Sequence, residues 1–142
     1  MPAVEPTQVV AREWVHEAEG DLKAAVHLLQ LGIDAPTEAV CFHAQQCVEK
    51  YLKALLILAE TDFPKTHDLD RLVQFLRRGT GIGLNPAERA ELTTHAVAAR
   101  YPGAGEIPLP AARRALRLAR RARKTIRGLM PLAVKRTIKR RA

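Results

Sequence analysis

Apolar residues recur at steps of three and four along most of the chain, the period of an α-helix, and the alternation of a half-buried strand is nearly absent. From Glu38 to Glu60, reading EAVCFHAQQCVEKYLKALLILAE, the positions Val40, Ala44, Cys47, Val48, Tyr51, Leu55 and Leu58 keep that period. Phe42, Leu52, Ala54 and Leu56 spread apolar character around most of the circumference, which predicts a central, largely buried helix. Its polar residues form a narrow band, His43, Gln46, Lys50 and Lys53, with Gln45 and Glu49 alongside. An unpaired charge facing an apolar interior is costly, so this band must meet solvent, a partner chain or an anionic ligand. The plainest arrangement is a solvated stripe with Gln46–Lys50 and Glu49–Lys53 pairs, each contributing about 0.2–0.5 kcal/mol.

The same period predicts a first helix over about Gln8–Leu31, with Trp14, Ala18, Leu22, Ala25 and Leu29 on one face and Gly32 as its stop. Trp14 reads as a core anchor, and His16 and His27 as ordinary polar-face residues. The short link Ile33–Pro36 makes the two long helices antiparallel neighbours. Pro64 interrupts the chain, after which Thr66 or His67 caps a short third helix over about Asp68–Arg78. Asn85, Pro86 and Glu88 supply the N-cap, first-turn proline and capping-box acid of a fourth helix reaching about Ala99. Pro110 opens a fifth, with Ala112, Leu116, Ala119, Ile126 and Met130 facing the core. The expected fold is all-α, an antiparallel up-down bundle of four to five helices over residues 1–130, followed by a basic C-terminal tail, 131–142, that frays beyond Pro131.

A length of 142 residues suits one domain, and 47% hydrophobic with only 4% aromatic content suits close helix packing. The net charge of +8 is unevenly placed. Residues 111–142 hold thirteen of the 23 Lys and Arg and none of the 15 Asp and Glu, leaving ten cations against fifteen acids in residues 1–110. That basic segment can neutralise nucleic-acid phosphates, or dock onto the acidic remainder of the bundle, an acidic partner or an anionic surface. The opening MPAVEPTQVV predicts no signal peptide, and no apolar run is long enough for a membrane span. Cys41 and Cys47, on different faces of one helix, cannot bridge and read as small buried residues of a cytoplasmic protein. No metal-ligand spacing appears, and no metal or cofactor is expected.

Four ordered blocks, W-x-x-x-A-E-x-D-L-K-A-A, F-H-A-Q-Q-x-V-E-K-Y-L-K-A-L-L, F-P-K-T-H-D-L and A-x-R-Y-P, resemble the HEPN domain family of prokaryotes over roughly Glu13–Leu129. The resemblance implies an antiparallel bundle that dimerises through its long helices and whose genes often sit beside a minimal nucleotidyltransferase. Many relatives belong to toxin–antitoxin pairs in which the helical protein cleaves RNA without metal, and others are nucleotide-binding or substrate-binding accessory subunits. Carried onto this chain, the family's marked positions are Gln46, Glu49, Lys50, Lys53, Lys65, Thr66, His67, Arg100 and Tyr101. Cleaving branches carry an Arg, four to six residues, then a His. Arg89 and His95 satisfy that spacing, although the block lacks the usual polar residue after the arginine and precedes the RYP segment.

Metal-free RNA cleavage needs acid–base groups and a cation at the phosphorane, for which His67, or Arg89 with His95, are the available side chains. Anion binding needs less: Lys50, Lys53, Lys65 and Arg100, brought together with the Thr66–Asp68 helix start, would make a positive pocket. The leading expectation is thus a dimeric nucleotide- or RNA-binding protein acting with a nucleotidyltransferase. A metal-independent endoribonuclease and a ligand-free dimerisation module are the alternatives.

Overall fold

Pro6 sits in the first turn of α1 (Pro6–Leu29), where its missing N–H leaves no bond unmade. The computed structural model describes residues 5–99, 101–103 and 105–136, and every regular element among them is helical. α1 ends slightly earlier than the periodicity predicts. Gln30 caps it, and Gly32, at φ +62°, turns the chain through a 3-10 turn, Gly32–Asp34, into α2 (Thr37–Leu58).

α2 is the predicted central helix. Val40, Ala44, Cys47, Tyr51, Leu52, Ala54 and Leu56 are fully buried, and the helix packs against α1, α3, α4 and α5. Along α1, Ala11, Val15, Ala18, Leu22 and Ala25 alternate steps of four and three, so small side chains let the two long helices approach closely as an antiparallel hairpin. Trp14 is only partly buried, against this core rather than inside it.

α3 (Leu69–Val73) is much shorter than the predicted Asp68–Arg78. Beyond Val73 the backbone tightens into i→i−3 bonds, Phe75 N–H to Leu72 O and Leu76 N–H to Val73 O, and the apolar period lapses into Arg77, Arg78 and Gly79. Its cap is Asp68, whose Oδ1 accepts from the N–H groups of Asp70 and Arg71, and not Thr66 or His67. α4 (Pro86–Ala98) opens on the predicted capping box between Asn85 and Glu88. The preceding loop reaches α5 at Gly83, φ +83°, where a Cβ would stand 2.6 Å from Thr125 Oγ1.

α5 (Leu109–Arg127) buries Ala112, Ala115, Leu116, Leu118, Ala119, Ala122 and Ile126 against the bundle, chiefly α2. The segment after Pro131 departs from expectation at its start: α6 (Leu132–Lys135) folds back onto α1, burying Val134, with Arg12 Nε donating to the Arg136 carbonyl at 3.2 Å. The rest of the predicted tail, 137–142, lies outside the described residues. Among the described residues no helix is long and apolar enough to cross a membrane, and no group of His, Cys, Asp and Glu is placed to hold a metal ion. Both cysteines are free and buried, and burial pushes the Cys41 thiol up to about 11.

Candidate functional site

The polar band of α2 is not a solvated stripe. Gln45, Gln46 and Glu49 are buried, and the band is wedged between α1 and the loop that links α2 to α3. Glu49 is its centre. Its Oε1 accepts from Gln45 Nε2 at 3.1 Å, Gln46 Nε2 at 3.3 Å and His67 Nδ1 at 2.8 Å, while Oε2 accepts from Lys53 Nζ at 3.1 Å. Burial pushes this carboxyl up, but the hydrogen bonds from Gln45 and His67 and the Lys53 ammonium outweigh it and hold it below the ordinary carboxylate range. An ionised carboxylate only accepts, so Nδ1 of His67 is the donor. Nε2 then has no protein partner among the described residues, on a side chain that is 53% exposed. Gln45 Nε2 also donates to the His67 carbonyl at 2.9 Å, fixing the loop backbone as well as its ring.

A second carboxylate of the same plan lies on the α1 side. Asp21 Oδ1 meets His43 Nδ1 at 2.8 Å and Oδ2 meets Lys50 Nζ at 2.7 Å. Of the two pairs expected within α2, Glu49–Lys53 therefore forms and Gln46–Lys50 does not, because the Gln46 amide turns to Gln45 and Glu49 while Lys50 crosses to α1. Lys53 also stands over the Trp14 ring, 5.4 Å from its centroid.

These pairings neutralise Lys50 and Lys53, so the positive pocket expected from Lys50, Lys53, Lys65 and Arg100 is not assembled from free charges. Lys65 is exposed, without a partner among the described residues. Thr66 Oγ1 accepts the Asp68 N–H at 3.1 Å. Tyr101 is 66% exposed in the turn after α4, and Arg100 lies outside the described residues. Arg89 is committed elsewhere: Nε and Nη2 donate to Asp70 Oδ1 at 3.0 and 2.8 Å and Nη1 to the Leu84 carbonyl at 2.8 Å, clamping α3 and its following loop to α4. His95, six residues further along α4, is partly exposed and makes no side-chain bond to Arg89.

One cluster escaped sequence reasoning. Glu19 accepts from Arg123 Nη2 at 2.6 Å and Arg127 Nη1 at 3.1 Å, and Arg127 Nη1 also reaches the Tyr51 hydroxyl at 3.1 Å. Burial pushes Tyr51 up to about 12, and burial of Glu19 is outweighed by Arg123, which leaves its carboxyl low. Glu19 and Asp21 both lie in the W-x-x-x-A-E-x-D block, so a signal existed: two acids on a helix that has basic and polar neighbours to satisfy.

Fold and seam together define a helical bundle that collects its buried polar groups on one central helix and a loop held against it. The chain belongs to the HEPN domain family, whose model matches residues 11–129. The crystal structure of TT1696 from Thermus thermophilus is similar at a TM-score of 0.70 and 25% identity, over 84% of this chain and 98% of that one. No curated protein matches. At family level the bundle is a helical module related to nucleotides or RNA.

Proposed function

We propose that this HEPN-type bundle binds a nucleotide or an RNA phosphate and acts as a homodimer with a minimal nucleotidyltransferase, either as an accessory subunit or as half of a toxin–antitoxin pair. The observation that carries the reading is the Lys65–His67 loop, which presents an unpaired ammonium and a half-exposed imidazole from a backbone anchored on buried Gln45 and Glu49. A phosphate at the loop meets an imidazole already oriented by Glu49, so that only the Lys65 side chain is ordered on binding, which lowers the entropic cost. Lys50 and Lys53 act from behind, pairing with Asp21 and Glu49 and holding those side chains in place.

The test is calorimetric titration of the chain with ADP and with a short RNA. Lys65→Ala with His67→Ala is expected to weaken binding about tenfold or more, in line with the loss of charge-assisted bonds, and unchanged affinity rejects the site. Sedimentation of the chain alone and mixed with a candidate minimal nucleotidyltransferase reads the dimer and the partner.

A second reading, metal-independent RNA cleavage, is favoured at His67 over the Arg89 and His95 pair by one observation: Glu49 fixes the His67 tautomer, whereas Arg89 is tied to Asp70. Cleavage in EDTA that is lost in His67→Ala and kept in His95→Ala is the expected pattern if the chain is an enzyme.

A further inference from the structure

A cleft of about 810 Å³ runs between α1 and the C-terminal half of α5, with Lys135 of α6 and Arg136 also in its lining, on a side of α1 turned away from the α2 seam. Its lining carries six cations, Lys23, Arg120, Arg123, Arg127, Lys135 and Arg136, against the single carboxylate of Glu19. His16 and His27 flank it, the two histidines that periodicity alone assigns to an idle polar face. Its lining spans α1 from Val15 to His27, about 18 Å at 1.5 Å per residue.

Glu19 neutralises only part of this charge and does something more specific. Its oxygens hold the Arg123 and Arg127 forks on the floor of the cleft, with Arg127 braced further by Tyr51 and by the Lys135 carbonyl at 3.5 Å. Lys23, Arg120 and Arg136 stand exposed above them, their side chains without partners among the described residues. The result is a cationic channel whose floor arginines are held in place and whose rim cations are exposed, and two of those rim cations, Arg120 and Arg136, are guanidinium forks free to meet phosphate oxygens.

We infer that this cleft is a binding site for the phosphodiester backbone of a nucleic-acid strand, separate from the Lys65–His67 loop. Several successive phosphates fit along its length. Arg123 and Arg127 keep only 35% and 25% of their side chains exposed, below the exposed rim cations, which favours a strand that can enter the cleft over a flat anionic surface. Among the described residues no Phe, Tyr or Trp lines the cleft, so the strand is held chiefly through its phosphates and with little regard to sequence.

The test uses the full chain, free of partner, and a fluorescein-labelled twenty-nucleotide polyuridine, with anisotropy read across a salt series. Lys23→Ala/Arg120→Ala/Arg136→Ala removes three rim cations from the cleft. Arg113→Ala/Arg117→Ala/Lys124→Ala removes three exposed cations of α5 that do not line it. The cleft variant is expected to bind at least about tenfold more weakly, with a log–log salt slope shallower by about 2, since each lost single-strand phosphate contact removes about 0.7. The off-cleft variant should lose much less. Equal losses in the two variants, no loss in either, or binding to phosphatidylserine vesicles in place of the RNA would each overturn the assignment. Because neither variant touches Lys65 or His67, failure of nucleotide binding at the loop leaves this result standing, and the reverse also holds.

Discussion

Glu49 is the residue on which the polar side of α2 depends. Four donors converge on one buried carboxylate, so Glu49→Ala removes an acceptor shared by Gln45, Gln46, Lys53 and the His67 ring and leaves the Lys53 charge unpaired, and it is expected to cost about 3 kcal/mol in urea denaturation at neutral pH. The pH dependence has a definite sign. The folded carboxyl titrates below its unfolded value, so its stabilisation is complete above about pH 4.3, the ordinary glutamate range, and is lost as pH falls through the folded value. The wild type should therefore lose stability on acidification more steeply than Glu49→Ala, and parallel acid limbs would show that the carboxylate does not hold the seam. Lys53 was legible as its partner because i,i+4 spacing is a local fact. Lys50 was not, since Asp21 reaches it only after α1 and α2 pack, and no spacing within α2 encodes that contact.

Among the elements, α2 ends in an unusual way. The N–H of Glu60 bonds to the Ile57 carbonyl and that of Thr61 to Leu56, the two bonds of a Schellman motif, with Glu60 at φ 51° in the position that favours glycine. Relieving the left-handed strain predicts that Glu60→Gly raises stability by about 0.5–1 kcal/mol, offset in part by unfolded-chain entropy, as read by thermal unfolding. Close helix approach gives a prediction of opposite sign. Ala119 is fully buried on α5, and Ala119→Leu forces extra methylenes into that contact at a cost of about 1–3 kcal/mol, readable from the urea midpoint. Helices whose apolar stripe runs over several turns, α1, α2 and α5, were legible from the sequence, and so was the α4 cap, because Asn85 and Glu88 satisfy each other locally. The length of α3 was not, because Arg77 and Arg78 tolerate a helix as well as a turn, and the Arg89 clamp on Asp70 and the Leu84 carbonyl fixes this region from α4. α6 was hidden for a related reason. A single buried valine, Val134, anchors it to α1, too little to produce a period.

For the whole molecule, the imbalance between an acidic first part and a basic last part becomes a set of contacts. Arg114 and Arg121 on α5 reach Glu88 and Glu91 on α4, and Arg123 and Arg127 reach Glu19 on α1. The basic segment thus docks on the acidic remainder along two edges and leaves part of its surplus charge lining the cleft between α1 and α5. Counting charges made docking one of several open outcomes, but only the packed helices select these carboxylates. Salt acts on this arrangement with two signs, weakening the bridges while screening repulsion within a chain of net charge +8, so the melting temperature of the wild type should change little with ionic strength. Glu88→Gln/Glu91→Gln unbalances the two effects. Glutamine at position 88 still completes the capping box with Asn85, so helix α4 keeps its start while Arg114 and Arg121 lose their counter-charges. This variant is expected to melt below the wild type at low salt and to recover as salt rises from about 0.01 M, where screening reaches about 30 Å, to about 1 M, where it is about 3 Å. A variant whose deficit is the same at both ends of that range would show that packing of the buried alanines, and not charge, seats α5 on the bundle.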